Sequence, residues 1–325
     1  MKLVARIERW PVRGAFTIAR GAKTHVDVVV AELSDGAVRG RGEATAIYYH
    51  GETAATVLAQ IEAQADALAA GLDRRGLQTR LPRGAARNAL DCALWDLEAK
   101  RSGTSVWRMA GLAEPRPLPT AFTISLGEPA RMEADAHAAA HLPLLKLKLA
   151  GDGDEARVAA VRRGAPAARL IVDANEAWTG RDVAAEATRL LPFGVELIEQ
   201  PVRAGEDHLL EGVESPIPLA ADESCHDRAD LARCIGRYAA INIKLDKCGG
   251  LTEALALAEA ARKAGLDIMV GCMLATSLGI APAMLVAQGA RWVDLDGALL
   301  LAEDRPDAMT AEGGLLMPPT APLWG

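Results

Sequence analysis

The sequence lacks long apolar runs, contains few aromatic residues and carries no excess of positive charge. No uninterrupted apolar stretch approaches the roughly 18 residues of a transmembrane helix, and phenylalanine, tyrosine and tryptophan make up only 4% of the 325 residues. The formal net charge of −7 argues against a basic surface for nucleic acid or anionic lipid. We therefore predict no nucleic-acid partner and no membrane partner, while a homo-oligomer is compatible with the sequence.

Several sequence motifs are also missing. The five cysteines are scattered and form no CxxC pair, which argues against a disulfide scaffold and a structural zinc site and favours reduced thiols in the cytoplasm. There is no GxSxG nucleophile elbow, no Walker phosphate loop and no GxGxxG at a strand–helix junction. The sequence thus gives no sign of hydrolase, P-loop or dinucleotide-binding chemistry.

Lysine is scarce, since only eight of the 36 basic residues are lysine and arginine supplies the other 28. Four of the eight lysines nevertheless fall in two short clusters, Lys146-Leu147-Lys148 and Lys244-Leu245-Asp246-Lys247. Arginine stays protonated in proteins, whereas lysine can be tuned to act as a base. The two clusters are therefore the first candidates for chemistry.

The second part of the chain alternates short apolar runs with Ala-, Arg- and Glu-rich helical stretches. The runs are AFTIS, LLKLKL, LIVDAN, VELIEQP, IPLAADES, AINIKLD, IMVGC and WVDLDG. Their ends recur every 22 to 27 residues, which is the length of one βα unit, so we predict an α/β fold with a parallel sheet. A doubly wound sheet has the same periodicity. A closed (β/α) barrel is favoured because charged residues recur at the strands' carboxyl ends, where barrel enzymes keep their active sites.

The first part of the chain has a different pattern. Residues 1–45 read as strands with a loop at Phe16–His25, and Thr53–Gly103 reads as helical. The proline-containing block Pro115–Pro119 predicts a domain boundary.

Three carboxylates, Asp173, Glu199 and Asp222, end successive predicted strands. Held together near a barrel axis they would repel one another, and a divalent cation would relieve that repulsion. Oxygen donors without His or Cys suit Mg²⁺, or alternatively Mn²⁺, rather than Zn²⁺. The other interpretation is that each acid is a helix N-cap, but three in register favour a metal site.

Lys148 precedes this acid trio by one βα unit and Lys244 follows it by one, so in a barrel they lie on opposite sides of the metal. Strand alternation puts Lys146 and Lys148 on one face, and we expect their repulsion to lower an ammonium pKa. A lysine with a lowered pKa can act as a base near neutral pH. The alternative is that the lysines are structural counter-ions of the carboxylates.

Asp294 and Asp296 lie two residues apart at the end of the last strand and share one face. They are not needed for the metal and are free to bind a cationic group of a substrate, although Asp296-Gly297 could instead form a turn. None of the six histidines ends a predicted barrel strand, and His226 is interpreted as a loop residue rather than a base.

These motifs together resemble the enolase superfamily, in its muconate-lactonising-enzyme-like subgroup, and within it the dipeptide epimerases. The resemblance runs in order over nearly the whole chain. The matching segments are RNALDCALWDL (87–97), KLK (146–148), DANE (173–176), EQP (199–201), DES (222–224), NIKLDK (242–247), GCM (271–273) and DLDG (294–297).

The resemblance implies a (β/α)7β barrel of residues 116–299 under an α+β capping domain of residues 1–115, joined by the C-terminal segment 300–325. It implies Mg²⁺ on Asp173, Glu199 and Asp222. It also implies an isomerase that inverts the α-carbon of a dipeptide's C-terminal residue, such as that of L-Ala-L-Glu. By the same resemblance, Lys148 and Lys244 are expected to exchange the proton on opposite faces through an ene-diolate that the cation stabilises.

Further substrate contacts follow from the same resemblance. Asp294 and Asp296 hold the α-ammonium group of the dipeptide. Lys146 and Thr123 lie beside its C-terminal carboxylate, and Cys272 lines the barrel close to the substrate.

Two capping loops concern the side chain of the substrate. Arg20 matches a basic residue that pairs with the side-chain carboxylate of Glu, a group that arginine binds bidentately. The second loop, residues 44–52, lacks the proline and the basic residue expected there, which puts the preference for Glu in question.

Other activities remain as alternatives. Within the subgroup they are cycloisomerisation, o-succinylbenzoate synthesis and N-acylamino-acid racemisation, none of which offers a substrate ammonium group to Asp294 and Asp296. A catalytically silent metal-binding scaffold is the alternative of a different class, and the presence of both Lys148 and Lys244 argues against it.

Overall fold

The structure is a computed structural model that describes residues 1–18 and 21–325. The chain begins with an antiparallel sheet in the order β1-β2-β3. Its strands are β1 (Lys2–Ile18), β2 (Gly21–Asp35) and β3 (Val38–Thr45). The loop predicted at residues 16–25 is wrong, because Phe16 pairs with Lys23 and Thr17 with Ala22. A register shift between Pro11 and Phe16 interrupts the two-residue alternation that would have revealed this strand pairing.

Helices follow the sheet, as the sequence predicts. They are α1 (Ala54–Glu62), α2 (Ala65–Ala69), α3 (Arg74–Arg80), α4 (Ala85–Ser102) and α5 (Val106–Met109). The long helix α4 packs across β2 and β3, and its small residues Ala89 and Ala93 are fully buried there. We call the β1–β3 sheet with α1–α5 the cap.

The remainder of the chain forms an eight-stranded parallel sheet with the strands in chain order. Its strands are β5 (Phe122–Ile124), β6 (Leu144–Lys148), β7 (Arg169–Asp173), β8 (Val195–Glu199), β9 (Leu219–Ala221), β10 (Ala240–Ile243), β11 (Asp267–Gly271) and β12 (Trp292–Asp294). The backbone N–H of Ala121 donates to the carbonyl of Val293 at 2.8 Å, which joins the last strand to the first. The predicted barrel is therefore confirmed, and the doubly wound alternative is excluded.

Helices connect the barrel strands. They are α6 (Pro129–Ala138), α7 (Asp154–Gly164), α8 (Val183–Leu190), α9 (Leu231–Cys234), α10 (Leu245–Cys248), α11 (Leu251–Lys263) and α12 (Ser277–Ala287). Four short 3₁₀ turns are also present in the described residues, at Tyr48–His50, Leu191–Phe193, Asp207–Leu210 and Arg228–Asp230. No helix in the described parts of the chain is long and apolar enough to cross a membrane.

An apolar layer fills the barrel interior. Each strand contributes one side chain to it, except that for β5 the side chain comes from the residue directly before the strand. Its members are Ala121, Leu144, Ile171, Leu197, Ala220, Ala240, Met269 and Trp292. All eight are buried, so the barrel is closed below this level. Two residues further along each strand the side chains face the interior again, and those positions hold the site.

The C-terminal segment returns to the start of the barrel and to the cap. Strands β13 (Ala311–Glu312) and β14 (Leu315–Leu316) form a small sheet with β4 (Leu118–Pro119). The indole of Trp324 donates to the carbonyl of Cys92 in α4 at 3.0 Å. These contacts accord with a C-terminal segment that joins the cap, while the domain boundaries at 115/116 and 299/300 stay predictions.

Gly42 in β3 tests the packing of the cap. A Cβ atom at Gly42 would overlap the backbone of Ala89 and Ala93 in α4. Gly42→Ala is expected to lower the free energy of unfolding by about 1–3 kcal/mol, the usual cost of overpacking, as measured by urea denaturation. Gly127→Ala is the control, since its nearest neighbour would lie 3.7 Å away, and equal stability of the two variants would contradict this packing.

Candidate active site

One interior-facing residue per strand forms a layer directly above the apolar one, which we call the polar layer. Its members are Thr123, Lys146, Asp173, Glu199, Asp222, Asn242, Gly271 and Asp294. The three predicted metal ligands come from neighbouring strands β7 and β8 and the end of β9, and Asp173 and Glu199 are register partners. Five of the layer's side chains are thus charged, although all five are buried.

A cavity of about 280 Å³ lies between the polar layer and the cap. The structure brings most of the predicted site residues to its wall. They are Thr123, Lys146, Lys148, Asp222, Lys244, Cys272, Asp294 and Asp296. Asp173 and Glu199 do not line the cavity. They lie behind its wall and contact the lining residues Lys148 and Lys146. Arg20, predicted to meet the substrate side chain, lies outside the described residues.

Each carboxylate of the acid trio has a lysine ammonium against it. Lys148 Nζ lies 2.6 Å from Asp173 Oδ2 and Lys244 Nζ lies 2.6 Å from Asp222 Oδ2. Lys146 Nζ lies 2.5 Å from Glu199 Oε2. The lysines are thus the counter-charges of the carboxylates in this arrangement. Among the described residues, no group of three or more His, Cys, Asp or Glu side chains is already arranged around a metal position.

The donor set nevertheless fits a hard divalent cation. All the donors are carboxylate oxygens, which Mg²⁺ and Mn²⁺ prefer. Burial raises the pKa of Glu199, and the charges of Asp173 and Asp222 raise it further. The charge of Lys146 opposes these effects but does not cancel them. The three acids therefore repel one another, and a cation among them would relieve a strain that the lysines relieve only in part.

The pKa of Lys146 contradicts the expectation that its lysine neighbour lowers it. Burial alone would lower this pKa, but the charges of Asp294, Glu199 and Asp173 outweigh it and raise the pKa well above its ordinary value. Burial also lowers the pKa of Lys244, but the charges of Asp222 and Glu199 outweigh burial and raise this pKa overall. The prediction that a neighbouring lysine lowers the ammonium pKa is wrong for Lys146, because the nearest charges to its ammonium group are the carboxylates of Glu199 and Asp294.

Lys247, to which the sequence assigns no role, fixes Asp222 in place. Its side chain is fully buried, and its Nζ donates to Asp222 Oδ1 and to the carbonyl oxygen of Asp222, both at 2.6 Å. It also donates to the carbonyls of Cys225 and Asn242 at 3.0 and 2.9 Å. Lys244 and Lys247 therefore hold the two oxygens of one carboxylate from different sides.

Two amide side chains that the sequence reasoning missed also orient the acids. Asn242 Nδ2 donates to Glu199 Oε1 at 2.6 Å. Gln200 Oε1 accepts from the backbone N–H of Asp222 at 2.8 Å, and the φ of Gln200 is +38°. A positive φ is costly for a residue other than glycine and marks a place that the surrounding structure constrains. Asn242 was detectable, because it lies two residues before Lys244 on the same strand face.

Asp294 and Asp296 lie on the cavity wall, as the sequence predicts. Asp294 Oδ2 accepts from Lys146 Nζ at 2.7 Å, and its Oδ1 is buried without a hydrogen-bond partner in the described structure. Asp296 Oδ2 accepts from the backbone N–H of Thr123 at 2.7 Å. Burial and the neighbouring charge of Asp294 raise the pKa of Asp296 to about 7, so a cationic ligand group here would be stabilised.

Residues 44–52, predicted as a loop, cover one side of the cavity, and the first two of them form the end of β3. Tyr48 and Tyr49 line the cavity, and His50 Nε2 lies 3.2 Å from His226 Nδ1 of the barrel. Burial and the charge of Lys247 lower the pKa of His226 to about 4. His226 is thus a neutral loop residue that contacts the cap, and it does not line the cavity.

Comparison with known proteins agrees with this architecture. Residues 1–111 match the domain described as "Mandelate racemase / muconate lactonizing enzyme, N-terminal domain", and residues 129–325 match "Enolase C-terminal domain-like". The chain belongs to the enolase superfamily. The resemblance noted in the sequence is therefore confirmed.

Three similar proteins carry more specific descriptions. The L-Ala-D/L-Glu epimerase of Escherichia coli (strain K12) is 45% identical over 95% of this chain and 97% of its own. An N-acetyl-D-glutamate racemase of a Pseudoalteromonas species is 48% identical over 75% of this chain and 78% of its own. An enolase family member from Agrobacterium tumefaciens, with homology to dipeptide epimerases, is 51% identical with a TM-score of 0.97 over 99% of each chain, and its crystal structure holds sodium and L-Ala-L-Glu with an ordered loop.

Lys247→Met tests the anchoring of Asp222. Removal of the ammonium leaves a buried carboxylate and three carbonyls short of a donor, and breaking such a buried pair costs about 3–5 kcal/mol. The expected loss is measured as the free energy of unfolding in urea. Lys263→Met is the matched control, because the side chain of Lys263 is 73% exposed and exposed pairs contribute little. A Lys247→Met variant as stable as this control would contradict the anchoring role.

Proposed function

We propose that this protein is a Mg²⁺-dependent dipeptide epimerase that inverts the α-carbon of the C-terminal residue, converting L-Ala-L-Glu to L-Ala-D-Glu. The observation that carries the proposal is the position of two lysines. Lys148 ends β6 and Lys244 follows β10, and strands four apart in an eight-stranded barrel lie on opposite sides of it. Both lysines face the cavity.

Asp173, Glu199 and Asp222 would hold the divalent cation, with Mn²⁺ as the alternative to Mg²⁺. When bound, the cation would supply positive charge to the substrate carboxylate and would offset part of the carboxylate charge that faces Lys148 and Lys244. Asn242, Gln200 and Lys247 keep the acids in place through the contacts described above. Preorganised charges of this kind stabilise the transition state without reorganisation during the reaction.

Two lysines on opposite faces of the α-carbon suit inversion. One lysine removes the α-proton, and the other returns a proton to the opposite face, so the configuration changes. For the reverse reaction the two lysines exchange roles. A single base could not deliver the proton to the second face without turning the substrate over.

The ends of the dipeptide have complementary partners in the cavity. We assign the α-ammonium group to Asp294 and Asp296, where one buried carboxylate oxygen lacks a partner. Lys146 and Thr123 lie nearby on β6 and β5 and are assigned to the C-terminal carboxylate. Cys272, half-buried at the end of β11, borders the same space.

The biological source of the substrate follows from its chemistry. A dipeptide of L-Ala and D-Glu is a fragment of murein, so we propose a role in recycling peptidoglycan peptides. The five cysteines are unpaired in the structure, which suits the reducing cytoplasm.

Racemisation of an N-acylated glutamate is the second candidate, because one relative named above is an N-acetyl-D-glutamate racemase. The same lysines and cation would serve that reaction. An N-acetyl substrate has no ammonium group, so the pair Asp294 and Asp296 favours the dipeptide.

Solvent deuterium exchange tests the reaction. With Mg²⁺ in D₂O, L-Ala-L-Glu is expected to gain one deuterium at the Glu α-carbon as it becomes L-Ala-D-Glu, observed by NMR and mass spectrometry. N-Acetyl-L-glutamate is the comparison substrate. Faster exchange of the N-acetyl compound would favour the second candidate, and no exchange with either compound or with a dipeptide library would refute the proposal.

Single lysine variants test the assignment of two bases. Lys148→Ala and Lys244→Ala are each expected to slow epimerisation by at least about 100-fold, the usual contribution of a general acid or base. The rate of L-Ala-D-Glu formation is measured by chiral chromatography, with Lys263→Ala as a surface control. Survival of epimerisation in either active-site variant would contradict the scheme.

A further inference from the structure

The backbone is strained directly behind two of the proposed metal ligands. Apart from glycines, only three of the described residues have a positive φ: Asn175 (+43°), Glu176 (+69°) and Gln200 (+38°). The first two come shortly after Asp173, and Gln200 comes directly after Glu199. Such a φ is costly and persists only where the surrounding structure holds it. The contacts that hold Gln200 therefore help to set the direction of Glu199.

The side chain of Gln200 is fully buried and uses all of its hydrogen-bonding groups. Its Oε1 accepts from the backbone N–H groups of Asp222 and Ser224 at 2.8 and 3.1 Å. Its Nε2 donates to the carbonyl of Val202 at 2.7 Å and to Ser224 Oγ at 2.8 Å, and the hydroxyl of Tyr238 lies 3.2 Å from the same nitrogen. Gln200 therefore connects the segment after β8 to the segment after β9.

Asp207 anchors the two hydroxyls that surround the amide of Gln200. It begins the 3₁₀ turn at Asp207–Leu210 and is buried, but it does not line the cavity. Its Oδ1 accepts from the hydroxyls of Ser224 and Tyr238 at 2.5 and 2.6 Å. Its Oδ2 accepts from the backbone N–H of Gly205 at 3.3 Å. One carboxylate behind the site thus holds both hydroxyls.

The chemistry of these groups fixes the direction of the hydrogen bonds. An ionised carboxylate only accepts, so both hydroxyls donate their single proton to Asp207. Their lone pairs then face the amide nitrogen of Gln200. Together with the carbonyl of Val202, they keep this nitrogen on one side and the amide oxygen turned toward the N–H of Asp222. Bonds to an ionised group are strong, and bonds in such a chain strengthen one another.

The network gives Asp222 a second anchor. Lys247 donates to the carbonyl oxygen of Asp222 and to its Oδ1, and Gln200 accepts from its backbone N–H. The backbone of Asp222 is therefore fixed at both its N–H and its carbonyl. Its Oδ2 takes part in neither contact and lies against Lys244.

We propose that Asp207 is a positioning residue of the cation site. Through the hydroxyls of Ser224 and Tyr238 it holds Gln200, and Gln200 holds the ends of β8 and β9 that carry two of the metal ligands. This assignment rests on the proposed metal-dependent function and deepens it. Because Asp207 does not line the cavity, its loss is expected to weaken cation binding more than the chemical step.

The affinity for Mn²⁺ tests this role, since electron paramagnetic resonance measures its binding without substrate. Asp207→Leu replaces the carboxylate by an apolar group of similar size. The dissociation constant of Mn²⁺ is expected to rise at least about 10-fold, the usual effect of losing an outer contact of a metal ligand. The kcat for L-Ala-L-Glu at saturating Mg²⁺ is expected to stay close to that of the unmodified protein. A kcat that saturating Mg²⁺ does not restore would contradict the proposal.

Asp207→Asn separates hydrogen bonding from charge. It removes the same charge as Asp207→Leu, but its amide oxygen can still accept from both hydroxyls. Its Mn²⁺ affinity is therefore expected to lie between those of the unmodified protein and Asp207→Leu. Equal losses in the two variants would show an effect of charge alone and would overturn the proposal. Glu211→Gln is the surface control, because the side chain of Glu211 is 60% exposed, and it is expected to leave the affinity unchanged.

The outcomes separate this proposal from the epimerase function. If the unmodified protein binds no Mn²⁺, the proposed metal site itself fails. If it binds Mn²⁺ and a folded Asp207→Leu binds it equally well, the metal site stands and the role of Asp207 is refuted. Circular dichroism reports folding.

Tyr238→Phe takes the place of Asp207→Leu if that variant does not fold. It removes one of the two hydroxyls that donate to Asp207 and keeps the carboxylate. A smaller loss of Mn²⁺ affinity is expected, because Ser224 still connects Asp207 to Gln200. An affinity equal to that of the unmodified protein would then refute the proposal.

Discussion

The burial of three carboxylates side by side is the constraint on which the site depends. Asp173, Glu199 and Asp222 project from adjacent strands into an interior closed below by an apolar layer. Isolated buried charges of one sign are strongly unfavourable, so the chain places lysines against them. The positive charge that keeps this layer folded is also the positive charge that chemistry on an acidic substrate needs.

The eight-stranded barrel places two of these lysines where the proposed proton transfer needs them. Lys148 and Lys244 differ from ordinary counter-ions because they lie on opposite sides of the cavity and face it. Lys247 differs from both, because it is fully buried and saturated by four acceptors. One lysine therefore fixes the position of Asp222, while the two that border the cavity are available to a substrate.

Much of this arrangement was predictable from the sequence. The strands have regular spacing, and their inward positions alternate, so the carboxylates, Lys148, Lys244 and the last-strand acids were identified by counting. Lys247 was not, because it lies on a short helix after the strand, where alternation no longer applies. The pairing of residues 16–18 with residues 21–23 was missed for a similar reason, since a register shift breaks its pattern.

Contacts between distant parts of the chain were beyond sequence reasoning. The pKa of Lys146 depends on three carboxylates from β7, β8 and β12, whose combined charge exceeds the effect of its sequence neighbour. The position of Tyr49 depends on His226, which lies in a different part of the chain. Residue type and spacing predicted which residues belong to the site. The charge balance among them could be worked out only from the folded structure.

The site can be tested by a crystal structure with Mn²⁺ and a dipeptide, in which anomalous scattering locates the metal. We expect one ion bound directly by carboxylate oxygens of Asp173, Glu199 and Asp222, with Lys148 Nζ and Lys244 Nζ on opposite faces of the substrate α-carbon. An ion bound elsewhere, or both lysines on the same face of that carbon, would contradict it.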